Sequence, residues 1–118
     1  MTALLVAIGA ALGAVCRHLV VERLRAAGAT AVGAVLAVNA TGSLLLGLVA
    51  GHASGAAPGW LLPCVSIGFC GAYTTFATHA VEVATALRSG RTRHAVADLG
   101  LNLALGLLLV SLGWTLTA

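Results

Sequence analysis

Residues 68–79 read GFCGAYTTFATH, and this stretch decides how the rest of the chain is interpreted. It lies in a long apolar sequence, because no Asp, Glu, Lys or Arg occurs between Arg25 and Glu82. In hydrocarbon every peptide N–H and C=O needs a partner, so a helix that loosens at Gly68 and Gly71 requires protein or an ion to take up the freed groups. The stretch therefore predicts a broken membrane helix with a candidate ion or solute site.

A second interpretation is that Gly68 and Gly71 only let two helices pack closely, as small residues do in bilayers. Glycines alone would favour packing. The same stretch also contains three threonines, and Phe76 and His79 lie one helical turn apart. These side chains favour a functional site.

The composition is that of an all-α membrane protein. Of the 118 residues, 60% are hydrophobic and only 8% are charged, which a soluble domain of this size could not accommodate. The apolar segments predict a single domain, residues 1–118, of four transmembrane helices at about 2–24, 30–51, 60–87 and 95–116. The third helix is predicted to break around Gly71, near its middle. No Lys or Arg precedes the first apolar run, which indicates a retained helix rather than a secretory signal.

The arginines predict the orientation of a multi-pass protein in the cytoplasmic membrane. The second connection, a tight turn predicted from His52 to Gly59, contains none. The first and third connections share all six, namely Arg17, Arg23, Arg25, Arg88, Arg91 and Arg93. By the positive-inside rule the first and third loops are cytoplasmic and both termini lie outside.

Three polar residues inside the predicted spans are candidates for function. Asn39 could bond to a neighbouring helix, or its NH₂ group could offer two donors to an anion. Arg17 could snorkel to the interface, or it could bond backbone carbonyls or guide anions inward. Glu82 is interpreted as the one acid well inside a span, although a carboxylate near a helix end can simply be solvated. The fourth helix, with Asn102 and Ser111, indicates least about function.

Three motifs carry a family resemblance. They are G-x-x-x-G-A-x-x-R at residues 9–17, N-x-x-G-S at residues 39–43 and G-F-C-G-x-x-T-T-F at residues 68–76. At these separations in a four-span chain, they resemble the Fluc/CrcB fluoride channels. The resemblance implies an antiparallel dimer that exports fluoride passively and selectively, with narrow pathways along the subunit interface.

The resemblance also implies roles for individual residues. Asn39 would be the pore amide and Phe76 the first ring of a phenylalanine pair, while the pathway hydroxyls would be those of Thr75, Thr78 and Ser111. The carbonyls of Gly71 and Thr74 would hold a structural sodium ion. Arg17 would match the family's arginine at the end of the first helix, and Glu82 its vestibule acid. Several weak donors suit a tightly hydrated anion better than one strong charge, which would trap it.

Two features depart from the family pattern. His79 stands where the second phenylalanine is typical, and Ala77 replaces a serine. The arginine bias is the second departure, because a chain that pairs with an inverted copy of itself should insert both ways. Both departures are explained if the partner is an oppositely oriented paralogue, and a homodimer is the equal alternative. His79 would then line a pathway as a neutral donor or serve in packing.

Three other function classes compete with a channel. A proton-coupled multidrug exporter needs a buried carboxylate in its first helix, which here has none before Glu22. The second class is a non-conducting partner subunit of a heterodimeric fluoride channel. The third is a membrane scaffold, which would give Asn39 no function. An enzyme is not predicted, because the four histidines lie on different segments with no metal-ligand spacing among them.

Overall fold

A computed structural model describes residues 1–55 and 58–118, and every regular element in these ranges is helical. The long helices are α1 (Thr2–Ala26), α2 (Ala31–Ala53) and α5 (Thr92–Thr117). Between α2 and α5 lie a π-helical segment (Pro63–Cys70), a short turn α3 (Gly71–Tyr73) and α4 (Phe76–Arg88). We call residues 63–88 the broken segment.

Three helices are long and apolar enough to cross a membrane. Mean hydropathy reaches 2.1 in α1, 1.9 in α2 and 2.0 in α5. At about 1.5 Å of rise per residue, each exceeds the hydrocarbon thickness of about 30 Å. Much of their surface is exposed leucine and valine, which suits contact with lipid. The prediction of an all-helical membrane protein is confirmed at this level.

Glycines bring the helices into backbone contact. A Cβ atom at Gly9 or Gly13 would collide with the backbone of the π-helical segment, and one at Gly68 would collide with the backbone of α1. Gly47 and Gly113 likewise allow backbone contact where α2 packs on α5. Gly68 therefore serves close packing, which was the second interpretation of that residue.

The break lies later in the chain than the sequence indicated. Gly71 is helical, with φ −61° and ψ −34°, which corrects the prediction that the helix breaks around it. The extended residues are Thr74 (φ −76°, ψ 160°) and Thr75 (φ −142°, ψ 110°). Threonine tolerates this conformation well because it is β-branched, and its hydroxyl can cap a helix. Thr75 does so by accepting a hydrogen bond from the Thr78 N–H of α4.

Several helix ends also differ from the predicted ones. Helix α1 continues to Ala26, two residues beyond its predicted end. Helix α5 begins at Thr92, three residues early, and α2 runs to Ala53, which makes His52 helical. The rest of the predicted turn includes Ala56 and Ala57, which lie outside the described residues.

Candidate functional site

Asn39 of α2 holds the break in the broken segment. Its Oδ1 accepts a hydrogen bond from the Thr75 N–H at 2.9 Å, and its Nδ2 donates to the Thr75 carbonyl at 3.4 Å. The same Nδ2 donates to Oδ1 of Asn102 on α5 at 3.0 Å. One side-chain amide thus serves both the N–H and the C=O of Thr75, groups that need partners in an apolar environment. Of the two interpretations of Asn39, the bond to neighbouring helices is the one observed.

Arg17 and Gly42 support the break from α1 and α2. The Arg17 guanidinium donates to the Thr74 carbonyl at 3.5 Å, so the alternative in which this arginine bonds a backbone carbonyl is the one observed. A Cβ atom at Gly42 would collide with the Thr74 side chain and lie 3.1 Å from the Tyr73 ring. Glycine at this position therefore lets α2 approach the break closely.

An open cavity of about 400 Å³ lies beside the break, and we call it the groove. Among the described residues, none that line it is Asp, Glu, Lys or Arg. Its polar lining comprises Asn39, Ser43, Ser66, Thr74, Thr75, His79 and Asn102. The ring of Phe76 also lines it and is 82% exposed. The groove is thus a surface of neutral donors and acceptors beside one exposed aromatic ring.

The structure brings some of the predicted site residues together and separates others. The groove collects Asn39, Gly71, Thr74, Thr75, Phe76 and His79. Thr78 is exposed on α4, and its hydroxyl lies 3.0 Å from that of Thr75. Ser111 is exposed on α5, about 13 Å along the helix axis from Asn102 at 1.5 Å per residue. Four predicted site residues do not line the groove, namely Arg17, Thr78, Glu82 and Ser111.

His79 is the buried end of a second polar cluster. It is 5% exposed, and its Nδ1 lies 3.3 Å from Oδ2 of Asp98 and 3.3 Å from Nδ2 of Asn102. Asn102 also donates to Oδ1 of Asp98 at 3.2 Å. The interpretation of Glu82 as the one acid well inside a span is therefore wrong, because the Asp98 side chain is only 11% exposed within α5. Glu82 and Asp98 line a common cavity.

Asp98 and Ser66 were not among the residues singled out from the sequence. Asp98 and Asn102 lie four residues apart on one face of a helix, and this spacing was visible in the sequence. Ser66 carried no such signal, because a lone serine in an apolar helix usually bonds its own backbone. In the structure its Oγ is buried and has no hydrogen-bond partner in the described part of the chain.

Comparison with known proteins identifies relatives over the whole length. A family model described as CrcB-like protein, Camphor Resistance (CrcB), matches residues 4–114. A protein of Symbiobacterium thermophilum named fluoride-specific ion channel FluC 2 is 43% identical over 92% of this chain and 90% of its own. FluC 1 of the same organism is 41% identical over 98% and 97%. FluC 2 of Natronomonas pharaonis is 42% identical over 100% and 96%.

Proposed function

Because this chain belongs to the CrcB family, whose matched relatives are named fluoride-specific ion channels, we propose that it is a passive fluoride channel. The observation that carries the proposal is the groove at the break, where Asn39 holds an extended Thr75 and where no lining residue is an acid, lysine or arginine in the described ranges. The family resemblance of the three sequence motifs is confirmed by the family model. Membership of this family also makes the chain a transport protein and not an enzyme.

The chemistry of the groove suits fluoride. A small anion with a tight hydration shell must exchange water for several donors, none of which binds it so firmly that it cannot leave. Amides, hydroxyls and the positive edge of an aromatic ring are donors of this kind. We assign Asn39, Thr75, Phe76 and His79 to the pathway. Both N–H groups of Asn39 have acceptors in the structure, Thr75 O and Asn102 Oδ1, so Asn39 would exchange one of them for the passing ion. A neighbouring copy would complete it with the exposed Thr78 and Ser111.

The active form is proposed to be an antiparallel dimer that exports fluoride across the cytoplasmic membrane. Phe76 is 82% exposed at the groove, so a pathway over its ring remains open on one side until a second subunit covers it. The arginines at the first and third connections favour cytoplasmic positions for both loops and outer positions for the termini. Glu82 is proposed as the acid of a vestibule.

The partner is proposed to be either a second copy or an inverted paralogue. Symbiobacterium thermophilum has two proteins of this kind, FluC 1 and FluC 2, which fits paired paralogues. Crosslinking of this chain expressed alone distinguishes the two. A stable antiparallel homodimer that conducts fluoride would exclude an obligate paralogue, whereas a monomer without flux would exclude the homodimer.

A structural sodium ion would be held by the carbonyls of Gly71 and Thr74. The Thr75 N–H bonds Asn39 rather than the Gly71 carbonyl, which therefore lacks its usual helical partner, and the extended Thr74 has also left the helix. Unwound carbonyls of this kind suit Na⁺. Two oxygens are too few for the ion, so the partner would supply the others. Arg17 also bonds the Thr74 carbonyl in the structure, and its positive charge would oppose sodium binding at this oxygen unless the side chain moved away.

The central experiment measures efflux from liposomes that contain the purified protein. Fluoride should leave rapidly on its own gradient, and chloride should be retained. A cationic dye should not accumulate when a proton gradient is imposed. Dye accumulation would favour the multidrug exporter, and fluoride retention by a verified dimer would refute the channel.

Phe76→Ala tests the exposed ring. Removing it is expected to reduce fluoride efflux by about fivefold, since an aromatic contact contributes about 1 kcal/mol and 1.4 kcal/mol is a factor of ten. The melting temperature should hardly change, because the side chain is 82% exposed.

Ile67→Ala is the matched control for the Phe76 variant, because Ile67 is 68% exposed on the same broken segment but does not line the groove. Equal losses of flux in the two variants would mean that any apolar surface on this segment suffices.

Ser66→Ala tests the hydroxyl without a partner. A buried unsatisfied polar group costs about 1–3 kcal/mol, so the variant should melt at the same or a higher temperature while its fluoride efflux falls. Ser89→Ala, which changes an exposed serine at the end of α4, should leave the efflux unaltered. Normal efflux in Ser66→Ala would remove this residue from the pathway.

A further inference from the structure

We propose that His79, Glu82 and Asp98 form a binding site for a divalent transition metal ion of the Zn²⁺ type. One ring nitrogen of His79 and one carboxylate oxygen from each acid lie within 4.8 Å of one another. Zinc bound at about 2.1 Å by nitrogen and oxygen ligands places those atoms about 3–4 Å apart. Side-chain adjustments of less than about 1 Å would therefore close the site around an ion.

The cluster has groups that its protein neighbours leave unsatisfied. His79 is 5% exposed, and its Nε2 is buried with no hydrogen-bond partner among residues 1–55 and 58–118. Oε2 of Glu82 is likewise buried and has no hydrogen-bond partner in these ranges. Buried polar atoms normally have partners, so two such atoms in one cluster indicate a missing ligand. A metal ion accepts both a ring nitrogen and a carboxylate oxygen.

The charges of the cluster also favour a cation. His79 Nδ1 lies 3.3 Å from Asp98 Oδ2, and in the described part of the chain no arginine nitrogen lies within 4.0 Å of either carboxylate. Two carboxylates therefore face each other across a single imidazole. Partly buried like charges are costly, and a divalent ion would neutralise both.

The surroundings resemble those of metal sites in their hydrogen bonding and access. Asn102 donates to Oδ1 of Asp98 at 3.2 Å, which orients the carboxylate as an outer-shell residue does. A cavity of about 550 Å³ reaches Glu82 and Asp98 and is also lined by Arg91 and His94 near the third connection. The ligand set of one nitrogen and two oxygens favours a transition metal over Ca²⁺ or Mg²⁺, which prefer oxygen alone.

The ion would act on the pathway through Asn102, a consequence that rests on the proposed fluoride channel. Asn102 contacts both Asp98 and Asn39, so the metal site and the groove share one side chain. An occupied site replaces two negative charges by a neutral cluster next to an anion path. Fluoride efflux is therefore expected to rise by about tenfold with zinc, since two charges at an effective dielectric constant of 20 interact over several ångströms by more than 1.4 kcal/mol.

Zinc binding is measured first and independently of flux, on the purified protein in detergent. Equilibrium dialysis with metal analysis should find one Zn²⁺ per chain, and an equal concentration of Mg²⁺ should not displace it. His79→Gln, Glu82→Gln and Asp98→Asn should each weaken binding by about 100-fold, and the outer-shell change Asn102→Ala by about tenfold. His52→Gln and Glu22→Gln are matched controls outside the cluster and should bind as the unaltered chain does.

Cobalt provides a measurement that needs no variant. Co²⁺ bound to the unaltered protein should show visible bands of nitrogen and oxygen coordination, without the charge-transfer absorption of thiolate ligands. Thiolate absorption would assign the metal to cysteines and overturn the proposal. So would the absence of zinc from the unaltered chain, or unchanged binding in all three ligand variants. Zinc binding without any effect on efflux would refute only the coupling to the pathway, and a chain that binds zinc but passes no fluoride would refute only the channel.

Discussion

Asn39→Asp is expected to abolish fluoride efflux. The carboxylate cannot donate to the Thr75 carbonyl or to Oδ1 of Asn102, which the amide bonds at 3.4 and 3.0 Å. It also places a negative charge in a groove without compensating cations among its described lining residues. Two unit charges 4 Å apart at an effective dielectric constant of 20 repel by about 4 kcal/mol, so the flux should fall by about 1000-fold. Efflux from liposomes at matched protein density measures the effect.

The control for Asn39→Asp adds the same charge elsewhere. Thr92→Asp places a carboxylate on the exposed first residue of α5, where the helix dipole favours it, and should conduct normally. Size-exclusion chromatography establishes that both variants retain the assembled state. Normal fluoride efflux by an assembled Asn39→Asp variant would contradict the assignment of Asn39 to the pathway.

Gly13→Ala is expected to lower the melting temperature of the protein, although it adds only one methyl group. The new Cβ would collide with the backbone of Phe69, with the carbonyl carbon at 3.0 Å and Cα at 3.1 Å. Backbone atoms cannot rotate away as a side chain can, so α1 must move off the π-helical segment. Overpacking costs about 1–3 kcal/mol, which corresponds to a fall of about 10 °C in the melting temperature.

Gly100→Ala is the matched control for the Gly13 variant. Gly100 is also helical, but no described atom lies within 4 Å of the Cβ that alanine would add. Since alanine is preferred to glycine in helices by about 1 kcal/mol, this variant should melt at the same or a higher temperature. Scanning fluorimetry of both variants in detergent compares them. Equal melting temperatures would show that α1 does not depend on backbone contact at Gly13.

The class of the protein and several of the residues that line the groove could be predicted from the sequence. Apolar segments without charge predicted the long helices. The glycines of residues 68–79 predicted a break in one of them, and its threonines with Phe76 and His79 favoured a functional site there. The three motifs led to the family. These predictions succeeded because a membrane limits the chain to helices whose backbone groups are satisfied, and any departure from a plain apolar helix stands out.

The position of the break was not predictable from local pattern alone. Glycine is the residue most associated with loosened helices, but Gly71 stays helical and Thr74 and Thr75 are extended. The decisive contact is the Asn39 amide, which lies on another helix and offers Thr75 an alternative to the helical hydrogen bonds. A side chain 36 positions away in sequence cannot be matched to its partner without the packing of α2 against the broken segment.

The sequence by itself determined that this chain is a helical membrane protein of the CrcB family with a polar interruption in one helix. Only the tertiary structure decided which backbone groups are freed, which amide receives them, and that His79, Glu82 and Asp98 converge. The physical reason is the range of the forces involved. Hydrophobicity acts on each segment separately and is read from the residues in order, whereas hydrogen bonds and charge pairs depend on distances of about 3 Å between helices, which only their packing sets.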